Sequence, residues 1–343
     1  MPSWFEFLQN RGARGVEGRV ADFGHPAREL IAARDTAIVA DLSHHALIAV
    51  SGDDAAAFLH AQLTNDVNAL AVDSAQWTGW CSAKGRLLAS FLLVRRADRF
   101  LLLLPAEIAP AIVKRLSMYV LRSKVKLTDE SEATVRVGLA GPNAAALLAA
   151  RFGKSPASLN AIEKEGILAV ALDAGRFLVL APASAAPALW EDLAKSATQA
   201  GADAWEWTSI RAGIPTVVAA TQEAFVPQMA NFDLIGAVSF RKGCYPGQEI
   251  VARTQYRGIL KKRMVLAHLP AEARPAPGES VYSAAFGEQA AGTIANAAPA
   301  PDGGFDALVV AQVESLERDD LRWKSPQGPA LEILSRPKAD ATS

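Results

Sequence analysis

The chain has 343 residues, of which 50% are hydrophobic and 21% are charged, so it is long enough for two or three domains with sizeable cores. Its 35 lysine and arginine residues and 36 aspartate and glutamate residues give a net charge of −1, which excludes the global positive field typical of nucleic-acid binding. The sequence shows no signal peptide and no apolar run of about 18 residues, so we expect a cytoplasmic protein without membrane contact.

An internal repeat gives the first indication of the fold. RFLLLLPAEIAPAIVKRL (99–116) and RFLVLAPASAAPALWEDL (176–193) agree at 10 of 18 positions. Upstream of each lies a second matched pair, IAVSGDDAAAFLHAQL (48–63) and VGLAGPNAAALLAARF (137–152). Because the order is the same in both copies, the repeat predicts a duplicated structural unit.

Each copy is interpreted as strand–helix–strand–strand–helix. The first strand ends at Gly52 or Gly141, where a helix with one apolar face follows. WTGWCSAKGRLLASFLLVRR and ILAVALDAG have the alternation and turn glycines of hairpins, and FLLLL and FLVLA are buried strands before amphipathic helices. We predict an α+β core at 1–262, with interleaved units of about 38–130 and 131–262 around a central cleft.

The stretch KGCYPGQE (242–249) follows the second copy and holds one of the two cysteines. Pro246 suits the first turn of a helix, with Glu249 in that turn. Cys244 would then precede a helix N-terminus beside Arg241 and Lys242, and both features favour a thiolate. Gly243 and Gly247 would allow positive φ angles and close approach to a ligand. The alternative, that Cys244 is a buried small hydrophobe, stays open.

The sequence changes character after Arg263. Short strands follow, separated by Gly, Pro and Asp: MVLAHLP, ESVYSAAF, AAGTIANAA, ALVVAQV and ALEILSR. This spacing predicts a small antiparallel β-barrel at 263–335, followed by a flexible tail at 336–343. The basic run Lys261–Arg263 is interpreted as an exposed linker.

The sequence lacks the motifs of common metal sites, serine hydrolases and nucleotide-binding sites. Cys81 and Cys244 form no CxxC pair and cannot alone supply a structural zinc or complete iron–sulfur site, and no HExxH pair occurs among the five histidines. Cys81 lies in an alternating hairpin strand and is expected to pack in the core. No metal site is expected, and GxSxG, Walker A and GxGxxG patterns are absent.

KGCYPGQEIVAR, preceded by VPQMANFDLIGAVSF, resembles the signature of the YgfZ-type folate-binding proteins. These are iron–sulfur cluster assembly or repair factors related to the T-protein, the aminomethyltransferase of the glycine cleavage system. Further matching stretches are HAQLTNDVNAL (60–70), SAKGRLLAS (82–90), YVLRSKVKL (119–127) and IRAGIPTV (210–217). The resemblance covers roughly residues 38–260.

The resemblance implies a T-protein-like fold with tetrahydrofolate, or a derivative, in a central cleft. It also implies a role in maintaining [4Fe–4S] enzymes, including radical enzymes that thiolate tRNA. The implied partners are folate, iron–sulfur assembly proteins and client enzymes, without direct nucleic-acid contact. By position, Cys244 is the reactive thiol and Lys242 its basic companion. The residues implied to contact the folate are Asn65, Trp205, Arg211, Asn231, Tyr245, Gly247, Gln248 and Glu249. From the residues alone, Trp205 would be interpreted as an ordinary core aromatic.

Two departures from the T-protein pattern bear on activity. Ala89 and Ser90 stand where T-proteins have an Asp pair, so the acid–base group for methylene transfer is missing. Arg211 stands where T-proteins have a glutamate that accepts pterin hydrogen bonds, and a guanidinium cannot accept them. Arg211 could instead bind a folate carboxylate or form a simple salt bridge.

Three functions follow as hypotheses. The first is a folate-binding factor for [4Fe–4S] cluster assembly or repair that uses Cys244. The second is a folate-dependent one-carbon transferase, for which positions 89 and 90 lack the required carboxylate. The third is a non-catalytic folate- or protein-binding adaptor in which Cys244 only packs.

Overall fold

The computed structural model describes residues 3–16, 18–257 and 260–337, with the backbone alone at residues 256 and 257. The chain forms two compact units. The first comprises the described residues of Met1–Leu59, Val67–Gln76 and Phe91–Thr208, and the second those of His60–Asp66, Trp77–Ser90 and Ser209–Ser343. The domain boundaries expected at residues 262 and 335 stay a prediction, and the last part of the expected tail, 338–343, lies outside the described residues.

The secondary structure consists of short α-helices and strands. The helices are α1 (Trp4–Gln9), α2 (Pro26–Asp35), α3 (Ala55–Gln62), α4 (Ala109–Ser117), α5 (Ala144–Phe152), α6 (Ala186–Leu193), α7 (Ala202–Arg211), α8 (Gln248–Arg257) and α9 (Val313–Arg318). The strands are β1 (Arg14–Val16), β2 (Arg19–Asp22), β3 (Ile38–Asp41), β4 (His45–Ser51), β5 (Ser74–Cys81), β6 (Leu87–Arg95), β7 (Arg99–Pro105), β8 (Lys126–Asp129), β9 (Thr134–Ala140), β10 (Ala161–Lys164), β11 (Ile167–Ala171), β12 (Arg176–Pro182), β13 (Thr198–Ala200), β14 (Lys262–Leu269), β15 (Ser280–Tyr282), β16 (Gly292–Pro299), β17 (Phe305–Gln312), β18 (Arg322–Trp323) and β19 (Glu332–Ser335).

The duplicated sequence builds two sheets. The first copy forms a five-stranded sheet of order β5-β6-β7-β4-β8, in which residues 77–81 of β5 and 87–90 of β6 belong to the second unit. The second copy contributes most of a six-stranded sheet of order β10-β11-β12-β9-β3-β13. β9 pairs antiparallel with β12 along its whole length, whereas β3 pairs antiparallel with β9 and parallel with β13.

Each copy has one strand more between its two helices than the sequence predicted. The hairpin β5–β6 precedes β7, and β10–β11 precedes β12. The turn glycines of the two copies occupy the same conformation, with φ of +114° at Gly52 and +121° at Gly141. A Cβ at Gly52 would lie 2.0 Å from the Lys124 carbonyl oxygen, and one at Gly141 would lie 2.6 Å from that of Thr36. Both copies therefore require glycine at the same step of the fold.

Alternate residues of β9, β11 and β12 bury one face of the six-stranded sheet against α1, α5 and α6. Trp190 is fully buried at the centre of this core and donates its indole N–H to Gln199 Oε1 at 2.8 Å. On the other face, Gly138 leaves room for the ring of Trp205, since a Cβ there would lie 2.5 Å from Trp205 Cε3. Both faces of β9 are thus covered within the first unit.

Two adjacent histidines, His44 and His45, lie at the start of β4 and are largely shielded from solvent. The ring centroids of His44 and His45 lie 4.3 Å apart, and no hydrogen bond among the described residues reaches either His44 ring nitrogen or His45 Nδ1. The carboxylate oxygen Glu206 Oε1 lies 3.9 Å from His44 Nε2. Burial, with the neighbouring guanidinium of Arg136, lowers the pKa of His45 to about 4, and burial also lowers the pKa of His44 well below its usual value.

We therefore expect the first unit to lose stability in mild acid. A histidine whose folded-state pKa lies below the unfolded value of about 6.5 binds its proton more readily when the chain unfolds. The free energy of unfolding should fall as pH drops from about 6.5 towards 4, by on the order of 3 kcal/mol for His45 alone. Urea unfolding of wild type and H44N/H45N across this range measures the effect. The same dependence of unfolding free energy on pH in both proteins would contradict this expectation. Asp41, whose pKa is raised by burial, is present in both proteins, so its contribution cancels in the comparison.

The C-terminal sheet belongs to the second unit and has the order β18-β15-β16-β17-β14-β19. It is a curled antiparallel half-barrel, and β14, β15, β16, β17 and β19 coincide with the five strands expected from the sequence. Its core is formed by side chains such as Val265, Val309 and Trp323.

Within the basic run before this sheet, Lys261 is exposed as expected, but Arg263 is paired. Arg263 forms two hydrogen bonds of 2.7 Å to the carboxylate of Asp233, which is only 6% exposed. Arg263 therefore connects the start of β14 to the segment that contains Asp233. Within the described parts of the chain, no helix is both long enough and apolar enough to cross a membrane.

Candidate functional site

The stretch 242–249 lies just before α8 in the second unit. Because α8 begins at Gln248, Pro246 lies two residues outside the helix, and the expected first-turn position of this proline is wrong. The Tyr245 carbonyl accepts a hydrogen bond from the Gln248 N–H at 3.1 Å, and this bond closes the turn. Cys244 is exposed, four positions before the first helical residue.

Lys242 is the buried anchor of this loop, with only 7% of its surface exposed. Its ammonium donates hydrogen bonds to the carbonyl oxygens of His60 and Leu63, the latter at 2.5 Å. It also lies 4.9 Å from the centroid of the Tyr245 ring. Burial lowers the pKa of Lys242 to about 8, while the negative charges of Asp66 and Cys244 act in the opposite direction.

Tyr245, the residue after Cys244, is buried, with 6% of its surface exposed. Burial raises the pKa of its phenol, and the charge of Cys81 acts in the same direction. Cys81 packs in the core, as expected, with 1% exposure, and burial raises its pKa to about 12. The two thiols therefore differ, since Cys81 stays protonated at neutral pH and Cys244 faces solvent.

Gly247 fits against the turn of the β5–β6 hairpin. Its φ is +77°, and a Cβ would lie 2.4 Å from the Ser82 carbonyl oxygen and 2.6 Å from Gly85 Cα. Gly247 therefore packs closely against the backbone of this turn, and its expected approach to a ligand stays a prediction. Gly243 does not have the expected positive φ, and the nearest atom to a Cβ there would be His60 Nε2 at 3.9 Å.

The segment 60–66 accepts the hydrogen bonds of Lys242 and is itself held by further hydrogen bonds. Asn65 donates through Nδ2 to the carbonyl oxygens of Trp77 at 2.9 Å and Gly236 at 2.7 Å, and its Oδ1 accepts from the Asp66 N–H at 2.9 Å. Thr64 Oγ1 donates to the Ala237 carbonyl oxygen at 2.7 Å. Both side chains connect this segment to residues 236–237 by hydrogen bonds, and the expected folate contact of Asn65 stays a prediction.

Asn231 and Arg211 contact the C-terminal sheet. Asn231 has a left-handed φ of +58° and donates through Nδ2 to the Met264 carbonyl oxygen at 2.9 Å. Arg211 is 44% exposed, and its NH1 group lies 3.5 Å from Asp306 Oδ2. Of the two possibilities left open for Arg211, the structure contains the salt bridge, and contact with a folate carboxylate stays a prediction.

The positions of the missing Asp pair have structural roles. Ala89 is fully buried, and Ser90 Oγ accepts a hydrogen bond from the Val217 N–H at 2.9 Å. No carboxylate occupies either position.

Most of the residues that the sequence singled out lie in the second unit. Cys244, Lys242, Tyr245, Gly247 and Gln248 share one loop, where Gln248 Nε2 lies 3.4 Å from the Lys242 carbonyl oxygen, and Glu249 is exposed at the start of α8. Trp205 is instead 4% exposed in the first unit, and its expected stacking on folate stays a prediction.

Four residues that contact Lys242 or would contact a side chain at Gly247 could not be predicted from the sequence. These are His60, Leu63, Ser82 and Gly85. They belong to HAQLTNDV and SAKG, two stretches that match the family but carry no role that the sequence reveals. In the described part of the chain, no cluster of three or more His, Cys, Asp or Glu side chains could hold a metal ion.

Comparisons with known proteins identify the fold and the family. The family model for the GCVT N-terminal domain matches residues 1–167. Among solved structures, the glycine cleavage system aminomethyltransferase T from Bartonella henselae has a TM-score of 0.80 over 97% of this chain and 96% of that one, at 19% identity. The expected T-protein-like fold is therefore confirmed.

The sequence relatives are more specific. The tRNA-modifying protein YgfZ of Serratia proteamaculans is 33% identical over 301 residues, which are 86% of this chain and 91% of that protein. The tRNA-modifying protein YgfZ of Escherichia coli strain K12 is 31% identical with the same coverage. Identity at this level over nearly the whole length shows that the chain belongs to the YgfZ family.

Proposed function

We propose that this protein binds tetrahydrofolate, or a derivative of it, and assists the assembly or repair of [4Fe–4S] clusters in client enzymes, with Cys244 as its reactive thiol. The observation that carries the proposal is the exposed Cys244 between two buried neighbours, Lys242 and Tyr245. A cysteine that served only for packing would be buried. The relatives' name, tRNA-modifying protein, supports clients among tRNA-thiolating radical enzymes.

The charge of Lys242 supports reactivity at Cys244. The ammonium of Lys242 is a buried positive charge two residues before Cys244 along the chain, and a nearby positive charge favours the anionic form of a thiol. Because the ammonium is fixed by two backbone carbonyls, it cannot turn away into solvent. The thiolate is the form that reacts with electrophiles or binds soft metals.

The side chains fit a folate in part. Glu249 is exposed and can accept hydrogen bonds from a pterin, and the exposed part of Arg211 can bind a glutamate carboxylate. The amides of Asn65 and Asn231 are engaged in internal hydrogen bonds, so we assign them a supporting role. When bound, tetrahydrofolate would supply one-carbon chemistry.

The one-carbon transferase alternative receives less support. Its acid–base carboxylate is replaced by the buried Ala89 and by Ser90, whose hydroxyl accepts a hydrogen bond from the Val217 N–H and has no carboxylate chemistry. An aminomethyl transfer would need a proton donor or acceptor from elsewhere.

Titration with tetrahydrofolate tests the folate half of the proposal. We expect saturable quenching of the fluorescence of the seven tryptophans and a rise in melting temperature, because a ligand that binds only the folded state stabilises it. Arg211→Gln should weaken binding by about tenfold if it holds a carboxylate. The exposed Arg318→Gln serves as the matched control. Absence of both quenching and thermal shift would remove folate from the account.

A further inference from the structure

A groove in the first unit has no part in the function proposed above. It has a volume of about 290 Å³ and lies between the β4–β7 part of the five-stranded sheet and the β11–β12 part of the six-stranded sheet. The connection between β8 and β9 lines it as well, through Glu130 and Thr134. It shares no residue with the Cys244 loop.

The groove has an aliphatic floor. Leu47, Leu101, Leu168 and Leu180 line it, and each is at most 7% exposed. These leucines lie on four strands, and strand pairing sets their positions. Leu168 of β11, for example, pairs with Leu180 of β12. A short aliphatic side chain would therefore meet a small apolar surface that is already formed, although polar atoms supply the larger part of the exposed lining.

The rim of the groove carries both signs of charge. Its cations are Arg96 and Arg99, and its carboxylates are Asp98, Glu130 and Glu163. Arg96 is engaged on both sides, by Asp73 at 2.5 Å and by Glu163. Arg99 donates to Glu130 at 2.7 Å through NH1, and its side chain is 39% exposed. Since a guanidinium has five N–H donors, Arg99 keeps donors for a ligand.

The repeat shows that this exposure is particular to one copy. Arg99 begins RFLLLLP, and Arg176 begins the matching RFLVLAP. The Arg176 side chain is only 6% exposed and its Nε donates to Asp173 at 2.7 Å. The same position is thus closed in the second copy and opens onto the groove in the first.

Two further polar groups at the groove have unused hydrogen-bonding capacity. Among the described residues, no hydrogen bond is recorded for the carboxylate of Asp98 or for the hydroxyl of Thr134. Asp98 is exposed in the turn before β7, so its carboxylate can accept from a cationic group.

We propose that this groove binds a small zwitterion with an aliphatic side chain, of the α-amino acid class. The ligand carboxylate would accept from Arg99, its ammonium would donate to Asp98 or Glu130, and its side chain would contact the leucine floor. A simple anion would meet three carboxylates, whereas a zwitterion satisfies both signs of charge. The volume lies just below the range of about 300–1,000 Å³ for drug-sized ligands, which suits a molecule of this size.

Isothermal titration of the full chain with L-leucine tests the proposal. We expect saturable binding with a Kd on the order of 1 mM, as suits so few ligand atoms. 3-Methylbutylamine lacks the carboxylate and 4-methylpentanoate lacks the ammonium. Each should bind at least about tenfold more weakly, because each loses one charge-assisted contact.

Variants then locate the binding. Arg99→Met should weaken L-leucine binding by about tenfold, and Asp98→Asn, in an exposed turn where folding is not at risk, by several-fold. Arg318→Met, on the exposed face of α9, should leave it unchanged. No saturable binding up to about 20 mM, equal binding of the two analogues and L-leucine, or unchanged binding in both groove variants would overturn the proposal.

Discussion

Replacing Cys244 with alanine is expected to abolish the restoration of [4Fe–4S] enzyme activity in a cell that lacks this protein. The side chain is exposed, so its removal leaves no cavity and the variant should fold with wild-type stability. Its affinity for tetrahydrofolate should stay within a few-fold of wild type, since no folate contact beyond the thiol is removed. The measurement is client-enzyme activity in the complemented cell, with expression levels matched.

The second cysteine provides the control for this experiment. Cys81 is 1% exposed, and burial raises the pKa of its thiol to about 12, so it stays protonated and inert at neutral pH. Cys81→Ala should therefore restore client activity, at the expense of about 1 kcal/mol of stability. Full restoration by Cys244→Ala would show that the thiol is dispensable and would favour the adaptor hypothesis.

Gly247→Ala is expected to destabilise the second unit by about 3 kcal/mol or more. The φ of +77° is unfavourable for alanine, and the new Cβ would lie 2.4 Å from the Ser82 carbonyl oxygen. That neighbour is backbone in a hairpin turn, so the loop or the turn must move. A lower melting temperature and a lower free energy of unfolding in urea would report the change.

Gly213 separates the two causes. Its φ is +70°, but a Cβ there would meet no atom within 4 Å among the described residues. Gly213→Ala should therefore lower the free energy of unfolding by only about 1 kcal/mol, from backbone strain alone. Similar values for the two variants would mean that the close packing of Gly247 on the Ser82–Gly85 turn contributes nothing.

The sequence predicted those features that depend on local patterns. The repeat located the matched turns at Gly52 and Gly141, and the spacing after Arg263 located five of the strands of the C-terminal sheet. The long signature around Cys244 indicated the family that the relatives then confirmed. Each of these features is encoded in short stretches of neighbouring residues.

The features that the sequence missed depend on distant partners. Lys242 donates to His60 and Leu63, and nothing near KGCYPGQE indicates which carbonyls will face the ammonium. Arg263 looks like part of a solvated basic run until the fold places Asp233 beside it. The first turn of α8 begins after Gly247, because packing against the Ser82–Gly85 turn holds that glycine in a conformation outside the helix.

The alkylation rate of Cys244 tests the central claim most directly. The claim is that an anchored ammonium keeps an exposed thiol reactive. In wild type at pH 7, iodoacetamide should modify Cys244 and spare Cys81, and Lys242→Met should slow the modification of Cys244 by about threefold or more, while Lys242→Arg retains part of the rate. Equal rates in wild type and in a folded Lys242→Met variant would contradict the account.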